Sequence, residues 1–241
     1  FPRWVGDELW GAIEMEEERS AAFDDDDARL VQTVAGQVGS ALRSAMLYEQ
    51  LDGAYIGTAQ ALATALEAGD RRPAANAPVI ELATAVGRRL DMDEDEIRTL
   101  RLAAIFHDIG KVSVSEAVLN KRGPLTDTER LQVERHTVVG ESILSSVEFL
   151  EDVRPLVRHA HDRWDGAGYP DGLAGEAIPI GARVVHACDA YDAMTAERPY
   201  REPLSDADAR SQLVAGAGSQ FDPAVVTALL AVLDADLSVS A

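Results

Sequence analysis

The sequence is poor in cysteine, in basic residues and in long apolar runs, and each shortage excludes a class of protein. Its single cysteine, Cys188, excludes an internal disulfide and fits a reducing compartment, so we expect a cytoplasmic location. With 22 Lys and Arg against 42 Asp and Glu, the formal net charge of −20 excludes a protein that coats DNA or RNA. The longest mainly apolar run, around 225–233, is too short to cross a bilayer, so no membrane segment is expected.

The chain is nonetheless long and apolar enough to fold. It has 241 residues, 46% of them hydrophobic, which excludes wholesale disorder and allows one large or two small domains.

It begins at Phe1, and no charged segment followed by an apolar core comes after it. No signal peptide is therefore visible, and we expect a piece of a longer protein.

Apolar spacing along most of the chain is typical of helices. Residues 7–16 mix apolar and acidic positions and predict a strand. From Leu30 the apolar residues recur every three or four positions, with few helix breakers before Gly69, which predicts one helix over 24–68. A helix of that length needs a partner along its side, so we expect a parallel coiled coil and a homodimer.

Further helices are predicted after the proline-containing break at 69–78. Strand-like alternation is nearly absent beyond residue 20, so the fold class is mainly α. A capping box at Thr126 and Glu129 marks one helix start. The predicted segments are about 78–90, 94–108, 127–147, 151–162, 180–195, 206–215 and 223–234.

The residues able to do chemistry are concentrated in one part of the chain. All five histidines lie between positions 107 and 186, and both lysines, Lys111 and Lys121, lie there too. Neutral imidazole and carboxylate are the usual protein ligands of divalent transition metals, so this region is a candidate metal site.

The adjacent pair His107 and Asp108 limits how such a site can be built. Neighbouring helical residues point about 100° apart, so both can address one centre only near a helix end or across two metals. Asp108 has two oxygens and could bridge two cations while His107 serves one. Asp189 lies in an apolar stretch, where a carboxylate needs a hydrogen bond, a charged partner or a metal.

An ordered series of motifs makes the chain resemble a known family. The series is HDIGK at 107–111, WDGAGYP at 164–170 and ERPYR at 197–201, with His136, His161 and Asp189 in the intervals. It resembles the HD-GYP family of HD-superfamily phosphohydrolases, which cleave the bacterial messenger cyclic di-GMP. The resemblance extends over about residues 55–234, and the first 50 residues resemble the end of a GAF sensory domain.

The resemblance implies an architecture as well as an activity. The expected fold is an HD-superfamily helical bundle, preceded by a long signalling helix and a short strand remnant of a GAF-like α/β domain. The implied boundaries are 1–23 for the GAF-like remnant, 24–68 for the coiled-coil helix that enters the bundle, and 55–241 for the HD-GYP domain.

The same resemblance implies a phosphodiesterase that uses one or two divalent ions, most simply iron or manganese, to hydrolyse cyclic di-GMP or a related cyclic dinucleotide. Hydroxide held in the site would attack phosphorus in line, with Asp108 and Lys111 in catalytic roles. The implied metal ligands are His107, Asp108, His136, His161, Asp189 and Asn76. The implied substrate-binding residues are Gly168, Tyr169, Arg198 and Arg201.

Some positions depart from the family pattern. Asn76 replaces the histidine of a Gly-His-Ser motif, and Ala160 replaces the first of two adjacent histidines, so each half of a binuclear site loses an imidazole. An amide oxygen is a poor substitute for imidazole at iron or zinc, so we expect weakened metal occupancy. Arg72 stands where trinuclear members have a ligand Glu, so a third metal is not expected. His159 and His186 lie off the pattern and are interpreted as core or surface histidines.

The departures leave two other hypotheses open. A degenerate module could bind cyclic di-GMP or a partner protein without turnover. An HD phosphohydrolase acting on another nucleotide is the third, because a fold does not determine a function.

Overall fold

A computed structural model of the chain describes residues 2–5, 8–12, 14, 24–66, 77–196 and 202–239. The chain divides into two compact units, residues 1–58 and 59–241. Helices that could cross a membrane, judged by length and apolar content, are absent from the described ranges.

The N-terminal unit contains a two-stranded antiparallel sheet. Strand β1, Pro2–Val5, pairs with strand β2, Glu8–Ala12, so the strand predicted over 7–16 is confirmed in β2 while β1 was not predicted. Two strands do not identify a GAF-like domain, which stays a prediction.

The predicted long helix is confirmed as α1, which has 42 residues, Asp25–Leu66. The Asp24 carboxylate accepts hydrogen bonds from the backbone N–H groups of Asp26 and Asp27, so it satisfies donors that the first helical turn leaves free. Three acidic residues in that first turn also interact favourably with the helix dipole.

The surface of α1 carries many exposed apolar side chains. Four of them fall on a seven-residue repeat, the spacing of a coiled-coil seam. These four are Val34, Tyr48, Tyr55 and Leu62.

Among its described residues, the C-terminal unit is built from helices joined by turns and loops, with an isolated β-bridge between Ala217 and Phe221, which confirms the mainly α fold class. Short 3₁₀ turns cover Ile109–Ser113, Glu148–Leu150 and Gly175–Ala177. The helices are α2 Ala77–Arg89, α3 Glu94–Phe106, α4 Glu116–Leu119, α5 Asp127–Glu134, α6 His136–Leu144, α7 Val153–Arg158, α8 Ile180–Thr195, α9 Asp206–Gly216 and α10 Pro223–Val239.

One predicted helix, 127–147, is in fact two. The capping box at Thr126 and Glu129 is confirmed as the start of α5, but the helix stops at Glu134. There the His136 ring donates to the carbonyl of Val133 at 2.6 Å, and the Thr137 hydroxyl donates to that of Glu134 at 3.2 Å. These two side chains therefore bond to backbone carbonyl groups that would accept backbone N–H groups in a continuous helix.

Helix α8 lies in the core of this unit. Its residues Ala182, Val184, Val185, Ala187 and Cys188 are fully buried. Small side chains let neighbouring helices approach closely. A Cβ atom at Gly181, for example, would overlap the side chain of Leu156 in α7. The core therefore fixes the position of Asp189, which follows directly.

Candidate metal centre

The end of α3 presents His107 and Asp108. A capping box of Asp93 and Glu96 begins this helix, and His107 is its C-terminal cap. Asp108 then opens the 3₁₀ turn at 109–113. The sequence expectation that this pair stands at a helix end is confirmed.

Gly110 allows that turn to pack directly against the start of α6. A Cβ atom at this position would overlap the carbonyl oxygen of His136 and lie 2.6 Å from the backbone nitrogen of Gly140. The glycine of the HDIGK motif therefore brings Asp108 next to His136, although 28 positions separate the two residues in sequence.

The two carboxylate oxygens of Asp108 face different imidazoles. Its Oδ2 lies 3.5 Å from Nε2 of His107, and its Oδ1 lies 3.6 Å from Nε2 of His136. On the other side of His107, Oδ1 of Asp189 lies 3.7 Å from the same Nε2. These separations are too long for hydrogen bonds. Ligand atoms about 2.1 Å from a shared ion lie about 3 to 4 Å apart, which is the spacing seen here.

The third imidazole of the cluster belongs to His161, in the loop after α7. Asp108, His136 and His161 each offer one ligand atom, and these atoms lie within 4.8 Å of one another. We call His107 and Asp189, with the Oδ2 edge of Asp108, the His107 side. We call His136 and His161, with the Oδ1 edge, the His136 side.

Both helical histidines are oriented by the backbone. Nδ1 of His107 donates to the carbonyl of Ala104 at 2.9 Å, and Nδ1 of His136 donates to that of Val133 at 2.6 Å. Since a carbonyl only accepts, each Nδ1 carries the proton and each Nε2 presents a lone pair or a second proton to the cluster. Metal-bound histidines are held in this way in proteins.

Unpartnered atoms show that the cluster fits a cation. Among the described residues, four buried side-chain atoms lack a hydrogen-bond partner: Asp108 Oδ1, His136 Nε2, His161 Nε2 and His186 Nε2. Leaving such an atom unpaired costs about 1–3 kcal/mol. Those of Asp108, His136 and His161 lie within 4.8 Å of one another and can each offer a lone pair, so this donor set fits a divalent metal of the first transition row.

Charge is distributed unevenly over the cluster. Burial raises the pKa of Asp108, but Lys111, His107 and His136 outweigh it and hold that pKa well below its usual range. Burial lowers the pKa of His107, but Asp108 and Asp189 raise it to about 9.

The His136 side behaves differently from the His107 side. Burial lowers the pKa of His136, and burial together with the neighbouring His136 lowers the pKa of His161 to about 3. Both rings are therefore neutral at ordinary pH, the form in which imidazole binds a metal.

Lys111 is the cation nearest to Asp108. Its Nζ donates to Oδ2 at 2.5 Å, and its side chain remains 32% exposed. The ammonium therefore both orients the carboxylate and remains accessible to an anionic group entering the site.

The loop that carries the glycine-rich motif packs against the cluster. The ring of Tyr169 stacks on that of His161 with centroids 5.2 Å apart and an interplanar angle of 23°. Gly168 allows the chain to fold back, because a Cβ there would lie 2.6 Å from the Cα of Asp162 and overlap the nitrogen of Arg163. The resemblance assigns both residues to the substrate, and the structure brings Tyr169 to a candidate ligand.

Sequence reasoning missed how this loop is held. His159, interpreted as off the pattern, bonds the buried carboxylate of Asp162 at 2.7 Å, and Asp162 accepts from the backbone N–H of Gly172 at 3.0 Å. His159 and Asp162 lie three residues apart at the C-terminal end of α7, and this spacing was the feature of the sequence that could have predicted their contact. Further along, the Arg183 guanidinium lies 5.6 Å from the ring centroid of Trp164.

Other residues named from the sequence cannot be placed. Asn76, Arg72, Arg198 and Arg201 lie outside the described residues. The structure thus brings together His107, Asp108, Lys111, His136, His161, Tyr169 and Asp189.

Comparisons with known proteins point to one family. Residues 57–225 match the sequence profile of the HD domain family. The cyclic di-GMP phosphodiesterase response regulator RpfG of Xanthomonas campestris is 41% identical over 147 residues, which are 60% of this chain and 39% of that protein. The 3'3'-cGAMP-specific phosphodiesterase 2 of Vibrio cholerae is 33% identical over 172 residues, 70% of this chain and 33% of that protein. The chain spans between 30% and 40% of the length of such relatives.

Solved structures share the fold. A crystal structure of a cyclic GMP-AMP specific phosphodiesterase of V. cholerae aligns with a TM-score of 0.56 and 19% identity, over 73% of this chain and 48% of that one. The HDG"Y"P protein of Bdellovibrio bacteriovorus aligns with a TM-score of 0.55 and 17% identity, over 66% of this chain and 51% of that one. At these identities the likeness concerns the fold, and it confirms the helical HD-type bundle.

Proposed function

The chain belongs to the HD domain family, and on that premise we propose that it is a metal-dependent phosphodiesterase that hydrolyses cyclic di-GMP, or a related cyclic dinucleotide, to pGpG or GMP. The observation that carries the proposal is the carboxylate of Asp108, whose two oxygens face two different buried imidazoles. Curated relatives named as cyclic di-GMP and cGAMP phosphodiesterases support the substrate class.

Two ion positions are proposed, one on each side of Asp108. His107, Asp108 and Asp189 would hold one ion, and Asp108, His136 and His161 would hold the other. When bound, such ions stabilise charge on phosphoryl oxygens and lower the pKa of a water molecule. Nitrogen and oxygen donors of this kind suit iron or manganese, which are the ions we propose.

The residues of the chain have separate tasks in this proposal. Lys111 places an ammonium beside Asp108, where it stabilises the negative charge that develops on the phosphoryl group in the transition state. His136 and His161 stay neutral and bind through Nε2. Tyr169 holds the His161 ring by stacking and closes that side of the cluster. Asn76, Arg198 and Arg201 remain proposed contacts to the metal and the dinucleotide.

Turnover of candidate substrates tests the proposal. Protein loaded with Mn²⁺ or, without oxygen, Fe²⁺ is incubated with cyclic di-GMP, 3'3'-cGAMP and mononucleotides, and the products are separated by chromatography. We expect linear dinucleotide from one of the cyclic substrates. Metal-loaded protein that leaves both cyclic dinucleotides intact would overturn the proposal.

A noncatalytic binding module is the second candidate, and Ala160 is the observation that favours it. This residue is buried and offers no ligand where the family has histidine. Cyclic di-GMP that binds to metal-loaded protein without being cleaved would support this candidate. Cleavage of mononucleotides alone would favour an HD phosphohydrolase with another substrate.

We also propose a parallel homodimer through α1 and a cytoplasmic location. The exposed seven-residue repeat of Val34, Tyr48, Tyr55 and Leu62 supports the dimer. Light scattering after gel filtration should give twice the chain mass of 25.9 kDa, and Tyr48→Glu should halve it. Gln50→Glu, an exposed position on the same helix, is the matched control.

A further inference from the structure

His186 on α8 is a buried histidine to which the family motifs assign no role. It is 9% exposed, and its Nδ1 lies 3.0 Å from the carbonyl oxygen of Ala160. Because the carbonyl can only accept, Nδ1 carries the proton. The Nε2 atom can therefore offer a lone pair, and among the described residues this buried atom meets no hydrogen-bond partner.

This arrangement repeats that of the two helical histidines of the cluster. His107 and His136 also donate Nδ1 to a backbone carbonyl and turn Nε2 inward. A protein that used His186 only for packing would gain nothing from an unpaired buried nitrogen, which costs about 1–3 kcal/mol. His186 shares its tautomer with both rings and its unpartnered Nε2 with His136, which indicates a shared use.

The position of His186 also relates it to the cluster. Its ring centroid lies 6.1 Å from that of His161, with the two planes at 87°. It precedes Asp189 by three residues on α8, so the two side chains occupy the same face of the helix. A second ring neighbour in the described part of the chain is Phe221, at 5.3 Å, whose side chain has no polar atom to offer.

We propose that Nε2 of His186 is a metal ligand that replaces the imidazole missing at Ala160. The two positions are in direct contact through Nδ1 and the Ala160 carbonyl, so the lost imidazole of the loop is supplied from α8. This inference rests on the proposed metal site. Under it, the His136 side is complete, and Ala160 does not mark a degenerate centre.

Two substitutions separate the two ring nitrogens. His186→Asn keeps an amide donor near the place of Nδ1 and removes the Nε2 ligand. His186→Gln removes that donor and carries an amide oxygen close to the place of Nε2. A ligand role and a structural role therefore predict opposite rankings of the two variants.

Metal content and metal affinity are the readouts. Each protein is dialysed against Mn²⁺ or Co²⁺, its metal per chain is measured by mass spectrometry, and its affinity is measured by competition with a chelator. We expect His186→Asn to weaken binding at one site by about tenfold or more, with less effect from His186→Gln. The visible spectrum of bound Co²⁺ should change with His186→Asn, and the Tm of the metal-free protein should not.

A reciprocal swap provides the positive test. His186→Ala should lose metal, and His186→Ala with Ala160→His should regain it, because the imidazole returns to the loop. His159→Asn is the matched control, since it keeps a donor to Asp162 and should leave the metal content unchanged.

Each outcome decides the inference. Full metal affinity in His186→Asn, or a loss confined to His186→Gln together with a lower metal-free Tm, would overturn the ligand role alone. Unmodified protein that binds no metal would overturn the proposed function as well.

Discussion

The two sides of Asp108 differ in how their negative charge and their buried lone pairs are compensated when no metal ion is bound. On the His107 side, two carboxylates face one imidazole and raise its pKa to about 9, so a proton can partly balance the site. On the His136 side, neutral rings and one carboxylate oxygen meet no donor among the residues that the structure describes, so buried lone pairs stay unpaired there. The His136 side therefore gains more from a metal, while the His107 side can exchange a proton for one.

Removing the carboxylate shared by both sides should have the largest effect. Asp108→Asn takes away the charge that addresses both ions and removes the ion pair between Asp108 and Lys111. We expect turnover to fall on the order of a thousandfold, equivalent to several kcal/mol of transition-state stabilisation. Steady-state rates and metal content are measured together. Asp95→Asn, exposed in the first turn of α3, is the control, and turnover retained in Asp108→Asn would contradict the shared role.

Altering the close contact between Gly110 and the start of α6 should have the second largest effect. In Gly110→Ala the new methyl group overlaps the His136 carbonyl, so we expect a loss of about 3 kcal/mol in the free energy of unfolding. Chemical denaturation measures it. Gly53→Ala is the control, because a Cβ there meets no atom within 4 Å among the described residues beyond its own helical turn, and helix propensity should stabilise α1 by about 0.5–1 kcal/mol. Equal effects at both glycines would show that the close contact does not matter.

Metal removal should have an intermediate effect and should distinguish the sides. At a hundredfold excess over Kd, a bound ion adds about 2.7 kcal/mol, which for a unit of this size is about 5–10 °C in Tm. Chelation should reverse that shift. His136→Asn should reduce the shift more than His107→Asn does, because the His136 side contains the unpaired atoms. The opposite ranking in thermal scans would contradict the inference that the His136 side gains more from a metal.

The smallest effect is expected at Tyr169. Tyr169→Phe keeps the ring that stacks on His161 and removes only the hydroxyl, so metal affinity should change by less than about twofold. Tyr169→Ala should weaken it by up to about tenfold, from loss of a ring contact of 0.5–1.5 kcal/mol. An increase in KM for Tyr169→Phe, with metal affinity intact, would instead assign the hydroxyl to the substrate.

Local patterns in the sequence predicted the parts of the fold that depend on local interactions. Helix α1, the capping box at Thr126 and the adjacent pair His107 and Asp108 all depend on neighbours within one or two turns. The family resemblance added His136, His161 and Asp189, which no local spacing could have brought together.

Features that depend on distant contacts could not be predicted. The division of 127–147 into α5 and α6 follows from how His136 is oriented, and apolar spacing contains no sign of it. The contact between His186 and Ala160 joins residues 26 positions apart, on different elements. By motif alone, Ala160 is a lost metal ligand and His186 is a histidine outside the pattern. In the fold the two residues are in direct contact.

Helix α8 carries Asp189 and His186 one turn apart, about 4.5 Å along the axis. The part of the helix before Asp189 is buried in the core, whereas Asp162 and Gly168 belong to the loop after α7. A ligand on α8 is therefore held by the packing of the helical core, whereas a ligand on the loop is held by the contacts of that loop. If His186 binds the metal as proposed, a change in the glycine-rich loop should displace fewer ligands than it would in a site built on adjacent loop histidines.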